Sequence, residues 1–558
     1  RDVAPSRGLG DVYKRQAIMK TIYKIAFGML CICGLLLGAC TDFEELNTDP
    51  SKSSSTDPNQ QLSMIQLQTW GHWQMCQPYP FYLAAFAQYM QGDWNTTNYG
   101  GQYRKNDAEM GNTWNLMYPA LIKNIVDILD KTKDNEREVN IHSVARIYKV
   151  YLFSILTDMY GDCPYFEAGK GFITGNVKPA YDKQELIYKD FLKELGEAAD
   201  ALTASGDKVT GDIIFQGNID KWKRFANSLH LRYAMRIVNA DPELAKAEAI
   251  KAVGQEAGLM QSAADDALIA YTDIQDWASN EFRRNGLAQL WRGREAYPTA
   301  YLCSTFWKQL DATSDPRQFV FGRCYDESSA NNPFGRVDLT EEMQNTEAAK
   351  FQPCNPGYFW YSNGTWPEGY WSKLTNKWQD KATRPQLNNI FLKGDMPGVV
   401  MTYAEAELLL AEAKARWAGD ITTGADASTH YKNGVRAAIH FLEKFGAKTF
   451  DDQVIDTYLQ ANSLPASGLD AQLTAINTQL WILHFNNIPE GYANWRRTDI
   501  PVLLPSPHYG AVTIDSQTTP LRLCYPLFES SYNPEGYQSA IQAMGGKDDW
   551  NSPVWWDK

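Results

Sequence analysis

Three stretches of the chain set flat aromatic rings beside side chains that donate and accept hydrogen bonds. The first is Gly92-Asp93-Trp94-Asn95-Thr96-Thr97-Asn98-Tyr99-Gly100-Gly101-Gln102-Tyr103-Arg104, which has neither helical nor strand periodicity. The second is Trp277 with Asn280, Arg283 and Arg284. The third joins Tyr358-Phe359-Trp360-Tyr361 to Trp366-Pro367-Glu368-Gly369-Tyr370-Trp371. The chemistry such residues suit is non-covalent recognition of a sugar. A pyranose ring offers axial C–H groups to an aromatic face and hydroxyls to amides, carboxylates and guanidinium groups. Trp and Tyr supply that area with little side-chain freedom to lose. The expected ligand residues are therefore Trp94, Asn98, Tyr99, Tyr103, Trp277, Asn280, Arg283, Trp360, Trp366, Tyr370 and Trp371. The competing reading is that these rings pin long loops to a scaffold.

Covalent chemistry has less to stand on. A glycosidase needs two carboxylates across a cleft, and Asp273 with Asp276 or Glu281 could be paired that way. Among 66 acidic residues such pairs arise by chance. Asp158 and Asp162 read as capping or turn acids at a helix end. The chain holds no Gly-x-Ser-x-Gly elbow, no His-Glu-x-x-His and no phosphate loop. His72, His142, His230, His430, His440, His484 and His508 show no ligand spacing. The oxygen-rich run from Asp93 to Asn98 does not follow an EF-hand pattern. No catalytic residue, required metal or cofactor is expected.

Helices must position these loops. Met401, Ala404, Leu408, Ala411 and Ala415 repeat at spacings of three and four, and Tyr403, Ala406, Leu410, Ala413 and Trp417 do so one face over. A helix with two apolar stripes packs on both sides, as inside a stack. Asn218 reads as the N-cap of a helix carrying Trp222, Phe225, Leu229 and Tyr233. Val144, Tyr148, Tyr151, Ile155 and Met159 mark another, ended by Gly161 and Pro164. Further helices are expected around 62–90, 112–132, 182–202, 428–445 and 470–485, the first kinked or broken at Pro78 and Pro80. Three adjacent pairs, 114–131 with 141–160, 183–203 with 219–239 and 402–417 with 428–445, suggest tetratricopeptide-like helix pairs of irregular period. Trp222, Trp417, Trp481 and Trp495 read as scaffold, and Arg496 and Arg497 as partners of buried acceptors. The long segments 92–111, 260–298 and 325–400 between pairs are where function is expected.

The N-terminal region carries processing signals. From Met19 the chain runs through a short basic start and an apolar stretch, Ile25 to Leu37, into Leu37-Gly38-Ala39-Cys40. That is the build of a secretory signal, too short to span a bilayer comfortably. Leu-Gly-Ala-Cys resembles a bacterial lipobox, so residues 19–39 are expected to be removed and Cys40 to carry the lipid anchor. Asp11-Val12-Tyr13-Lys14-Arg15-Gln16 resembles a translated sequencing adapter, and residues 1–18 are set aside as non-native. Residues 40–60, with Ser51-Lys52-Ser53-Ser54-Ser55 at their middle, read as a flexible tether, and 61–558 as one large domain. Removing the six basic and two acidic residues of 1–39 leaves 47 Lys/Arg against 64 Asp/Glu, a net charge of −17. That balance argues against nucleic acid, whose binding rests on neutralised phosphates. Cys76, Cys163, Cys303, Cys324, Cys354 and Cys524 form no Cys-x-x-Cys pair and read as buried small hydrophobes, although an exported chain permits disulfides.

Taken in order, several segments resemble the SusD/RagB family of outer-membrane nutrient-binding lipoproteins, in its SusD-like branch. They are Cys40-Thr41-Asp42-Phe43-Glu44-Glu45-Leu46-Asn47-Thr48-Asp49-Pro50, Leu156-Thr157-Asp158-Met159-Tyr160-Gly161-Asp162-Cys163-Pro164-Tyr165, Lys221-Trp222-Lys223-Arg224-Phe225-Ala226-Asn227-Ser228-Leu229, the helix from Met401 to Trp417, and Trp495-Arg496-Arg497-Thr498. The resemblance implies a mostly α fold, a superhelix of four tetratricopeptide-like helix pairs carrying long aromatic-rich loops. It implies surface display on the outer membrane and an oligosaccharide ligand, with a peptide as the alternative. It also implies a partner, a SusC-type TonB-dependent transporter over which the lipoprotein closes like a lid. A helical-repeat scaffold that binds no small ligand is the second alternative.

Overall fold

The structure is a computed structural model. It describes Met19 and residues 56–91, 96–274, 276, 278, 280–292, 301–323, 325–326, 337–338, 371–372, 377–378, 386–505 and 515–557, with backbone alone at 97–98, 325–326, 337–338, 371–372 and 377–378. Cys40 lies outside these residues, as do Cys324 and Cys354.

Helices dominate, and their ends follow local chemistry. The Asn218 side chain accepts from the Lys221 amide at 3.0 Å and opens the helix Ile219–Arg236. Thr402 accepts from Glu405 to open Tyr403–Trp417, and Asp426 accepts from Thr429 to open Ala427–Phe441. Such caps satisfy amides that have no partner within the helix. Val139–Tyr160 stops at Gly161, whose φ of 88° suits glycine.

The expected pairs form. Lys123–Thr132 packs on Val139–Tyr160, Gln184–Ala201 on Ile219–Arg236, and Tyr403–Trp417 on Ala427–Phe441. Leu469–Leu483 with Ile488–Thr498 makes a fourth pair. Both stripes of Tyr403–Trp417 are used, one side meeting Ala427–Phe441 and the other Leu469–Leu483. Trp222 and Trp481 are fully buried, Trp495 nearly so, and Trp417 partly.

The helix expected over 62–90 departs most from expectation. Pro58–Gly71 ends at His72, which is extended; a short helix Trp73–Cys76 follows, then a wide π turn Tyr79–Leu83 holding Pro80, then Ala84–Phe86. A proline without an amide cannot continue an α-helical ladder, and the turn widens around it. Short strands tie the long segments together. Met90–Gln91, Tyr301–Leu302, Gln386–Leu387 and Gly322–Arg323 lie side by side in that order, antiparallel. Gly398–Met401 pairs with Ala267–Ile269.

Buried ion pairs bolt the helix pairs to one another. Arg497 donates to both Glu412 oxygens at 2.7 Å and to Asn477 and Asn494. Arg232 grips Glu405 bidentately, and Arg236 donates to Asp158 at 2.8 Å and also to Glu490. Arg496 stacks over Tyr492 and Trp556 and donates to the carbonyls of Asp158 and Leu521. Asp158 therefore is not a capping acid. It sits inside Val139–Tyr160 and points into the bundle, where Arg236, Trp556 and Tyr188 all donate to it. Asp162 does act at a helix end, accepting from the Gln184 amide at 2.8 Å. Cys76, Cys163, Cys303 and Cys524 are buried thiols. Among the described residues no helix is long and apolar enough to cross a membrane.

Candidate functional site

Two of the three aromatic stretches are seated on one piece of chain, Gly71–Leu83. At its start, a Cβ on Gly71 would lie 2.1 Å from the Phe282 carbonyl oxygen, so only glycine lets the second loop approach. Near its end, a Cβ on Gly100 would lie 2.6 Å from the Phe81 carbonyl oxygen and 2.7 Å from the Tyr82 Cα. The two contacts are separated by about ten residues of a segment broken at His72 and at the π turn Tyr79–Leu83. Each loop then runs into a helix that packs on Trp73–Cys76: Asp107–Leu116 from the first, Gly286–Arg292 from the second.

In the first loop the Thr96 hydroxyl donates to the Pro80 carbonyl at 2.7 Å. Tyr99 stacks on Tyr82, with centroids 5.9 Å apart and planes at 18°, and meets Phe81 at 6.3 Å. It is half-buried, which leaves part of the ring at the surface. Tyr103 is placed otherwise. It is 3% exposed, packs edge-on against Phe86, and shares a 2.8 Å hydrogen bond with Thr519. Its ring pins the loop's end and presents no free face. Asn98 falls within the π turn Thr97–Gly101, its side chain outside the description.

In the second loop Arg284 faces inward and Arg283 outward. Arg284 is fully buried and donates to the carbonyls of Asp276, Ala278, Glu281 and Gly71. The Thr272 amide donates to the Arg283 carbonyl, and Asp273 accepts from the Gly394 amide. These bonds tie the two ends of the loop to each other and to Gly71 and Gly394. Asn280 is exposed, and the Arg283 side chain is 69% exposed, donating to Glu281 at 2.6 and 3.0 Å. Hydrogen bonding from Arg283 holds the Glu281 carboxyl down to about 2. The pair is then ionised but mutually neutralised at ordinary pH. Asp276 is spent on the Ala278 amide. Of the three acids that could have made a glycosidase pair, Asp273 and Asp276 serve the loop, and Glu281 is shifted opposite to what a general acid needs.

His72 joins the two parts. Its Nδ1 accepts from the Gln74 amide at 3.3 Å and its ring stacks on Phe282, centroids 5.0 Å apart. Burial, and then the Arg284 guanidinium, hold this imidazole down to about 4. As pH falls below about 6.5 the unfolded chain takes a proton that the folded chain refuses until about 4, so stability drops through that window, by about 1–2 kcal/mol at pH 5. His72→Asn keeps an acceptor for the Gln74 amide. Urea unfolding of this variant from pH 7 to pH 4 is expected to show a flatter profile than the parent; identical slopes would contradict the assignment.

Trp94, Trp277, Trp360, Trp366 and Tyr370 lie outside the described residues. Trp371 lies in a strand, Trp371–Ser372, paired with Lys377–Trp378, and its side chain is outside the description. Sequence reasoning missed His72 and Phe282, and it named Arg283 but not Arg284 among the ligand residues without assigning Arg284 its role in closing the loop. It also missed a small cavity of about 20 Å³ among the helices, lined by Trp70, Tyr151, Asp158, Arg232, Asn487 and Glu490, whose lining is scattered over some 420 positions. Among the described residues no cluster of His, Cys, Asp and Glu could hold a metal ion.

The profile of a family described as "Starch-binding associating with outer membrane" matches residues 50–526. A SusD-like structure from Bacteroidetes AC2a is similar at 36% identity and a TM-score of 0.81, covering 90% of this chain and 100% of its own. A chitin-binding protein is similar at 32% identity and a TM-score of 0.75, with the same coverage. A SusD homologue from Bacteroides uniformis shares the fold at 22% identity and a TM-score of 0.69, covering 90% and 100%. No curated protein matches the chain.

Proposed function

The chain belongs to the SusD-like family of glycan-binding proteins associated with the outer membrane, and from that premise we propose that it captures a neutral oligosaccharide and passes it to a TonB-dependent transporter. The observation that carries the reading is the seating of two aromatic, polar loops on one segment, Gly71–Leu83. Tyr99 offers a ring and Asn280 an amide, while the Arg283–Glu281 pair offers hydrogen bonds without net charge. That suits a ligand rich in hydroxyls and poor in charge. Trp94 and Trp277 complete the stacking surface in this proposal, with Trp360, Trp366, Tyr370 and Trp371 contributing from the third stretch. The chitin-binding relative supports a carbohydrate over a peptide. Handing the ligand inward needs a pore that a chain anchored at Cys40 would not itself supply. The tether 40–60 would let the protein swing over a barrel and keep their effective concentration high.

Calorimetric titration of the mature protein tests the ligand class. Chitin-derived and starch-derived oligosaccharides, anionic oligosaccharides and peptides form the panel. Micromolar-to-millimolar binding to a neutral glycan is expected, about −4 to −8 kcal/mol. Binding to peptides alone would overturn it in favour of an oligopeptide carrier, and binding to nothing would favour a helical-repeat scaffold. Cross-linked affinity purification at native expression tests the partner: a large outer-membrane barrel should co-purify, and recovery of this protein alone would count against delivery.

A further inference from the structure

Glu109 stands beside the first loop with a carboxylate whose ordinary task another side chain performs. It is the third residue of Asp107–Leu116, and the Asn106 side chain accepts from its amide at 3.3 Å. Asn-x-x-Glu at a helix start has the spacing of a capping box, in which the acidic side chain reaches back to the amide of the capping residue. Here the Asn106 amide donates to the Tyr82 hydroxyl at 2.9 Å, and that hydroxyl donates to the Arg104 carbonyl at 3.1 Å. The Glu109 carboxylate is left out of the cap. It turns to Gln77 on Gly71–Leu83, whose side-chain amide donates to its Oε2.

Gln77 is held from both ends. It is 8% exposed, and its Oε1 accepts from the Asn112 side chain at 2.7 Å. Asn112 lies one turn on from Glu109, so one buried amide aims two half-buried groups on one side of the helix. No described residue donates to Glu109 Oε1. Asn112 spends a donor on Gln77 and keeps its Oδ1 as an acceptor. The relay thus adds a pair of oxygen acceptors to the surface.

Burial raises the Glu109 carboxyl above the usual carboxylate range, and among the described residues no cation offsets it. Glu412 differs, since Arg497 and Arg416 hold its carboxyl down. A half-buried carboxylate without a cation costs stability that this helix start does not recover. A ligand donor would recover it, because hydrogen bonds to a charged acceptor are stronger than neutral ones. Glu109 also neighbours the stacking ring: burial, and then the Glu109 charge, raise the Tyr99 phenol. Tyr99 and the two acceptors therefore share one rim.

On the glycan reading of this surface, we propose that Glu109, aimed by Gln77, is the residue that selects neutral sugars: with Asn112 it accepts from ligand hydroxyl or amide N–H groups beside the Tyr99 ring, and its charge turns carboxylated or sulfated sugars away. An anionic group placed there meets a like charge where salt screens it less than at an open surface. It also brings acceptors where donors are needed.

Calorimetric titration of the mature protein tests this, with chitin-derived and starch-derived oligosaccharides, each also in a form oxidised to C6 carboxylates. The parent is expected to prefer the neutral form at least about tenfold. Glu109→Gln keeps the size and an acceptor for Gln77 while removing the charge. It should weaken neutral binding about tenfold and bring the preference below about threefold. Asn112→Asp, on the half-buried outer side of the helix, sets a second carboxylate on the rim and should widen the preference by at least about threefold. Parent affinity and parent preference in Glu109→Gln would overturn the proposal and leave the glycan reading in place. An equal loss for neutral and carboxylated forms would overturn it too, making Glu109 a support for the loop. So would an unchanged preference in Asn112→Asp, whether or not Glu109→Gln folds by circular dichroism. A parent that binds no oligosaccharide would overturn both readings.

Discussion

Arg497→Leu is expected to destabilise the protein by about 2–4 kcal/mol, the cost of leaving a buried carboxylate with Arg416 as its one remaining cation. Glu412 is fully buried, and hydrogen bonds and charge from Arg497, then Arg416, outweigh its desolvation and hold its carboxyl at about 2. Its ionised form is thus the native one down to strongly acid pH. Removing Arg497 leaves that carboxylate with Arg416 alone and orphans the Asn494 oxygen, while the Asn477 oxygen keeps only the Asn494 amide. Glu412→Gln should cost a similar amount from the other side. The double variant should cost less than the two singles summed, because both remove one shared interaction. Urea midpoints at constant slope measure all three. A loss under about 1 kcal/mol for Arg497→Leu would show that the pair does not hold Tyr403–Trp417 to Ile488–Thr498.

Ligand affinity should respond to a different set of residues. Trp94→Ala and Trp277→Ala are each expected to weaken neutral-glycan binding about tenfold to thirtyfold, or roughly 1.4–2 kcal/mol, as expected for truncation of an aromatic anchor. Together they should take binding below detection. Arg283→Ala should cost only a fewfold, since its charge is already spent on Glu281. Tyr103→Phe should leave affinity alone and lower stability by about 1 kcal/mol, because it removes a hydrogen bond to Thr519 and no ligand contact. Calorimetry with urea midpoints alongside separates affinity from folding. Full affinity in both tryptophan variants would mean that the ligand is held elsewhere.

These contrasts mark what the sequence makes legible. The two stripes of Tyr403–Trp417 announced a helix packed on both sides, and the Asn218 cap announced where another begins, because both signals are local and periodic. Arg497 could be read as buried from its place in Trp495-Arg496-Arg497-Thr498, but not that Glu412, 85 residues earlier, receives it. Periodicity gives a face and no address. The four-stranded sheet was invisible for a simpler reason, since two-residue strands carry no alternation. At the candidate site composition found the loops but not their roles. The doublet Arg283-Arg284 looks symmetric in sequence, yet one side chain collects three loop carbonyls and that of Gly71 while the other stands in solvent. Tyr99 and Tyr103 look equivalent too, and only packing against Phe86 and Thr519 takes the second out of the surface.

The central claim is that the loops at 92–104 and 272–285 act as one glycan surface on Gly71–Leu83, and amide hydrogen exchange of the full mature chain tests it most directly. With the neutral oligosaccharide found in the titration at saturation, both loops should gain protection together while the helix pairs stay as they are. Protection confined to one loop, or appearing around the interior cavity lined by Trp70, Arg232 and Glu490 instead, would contradict it.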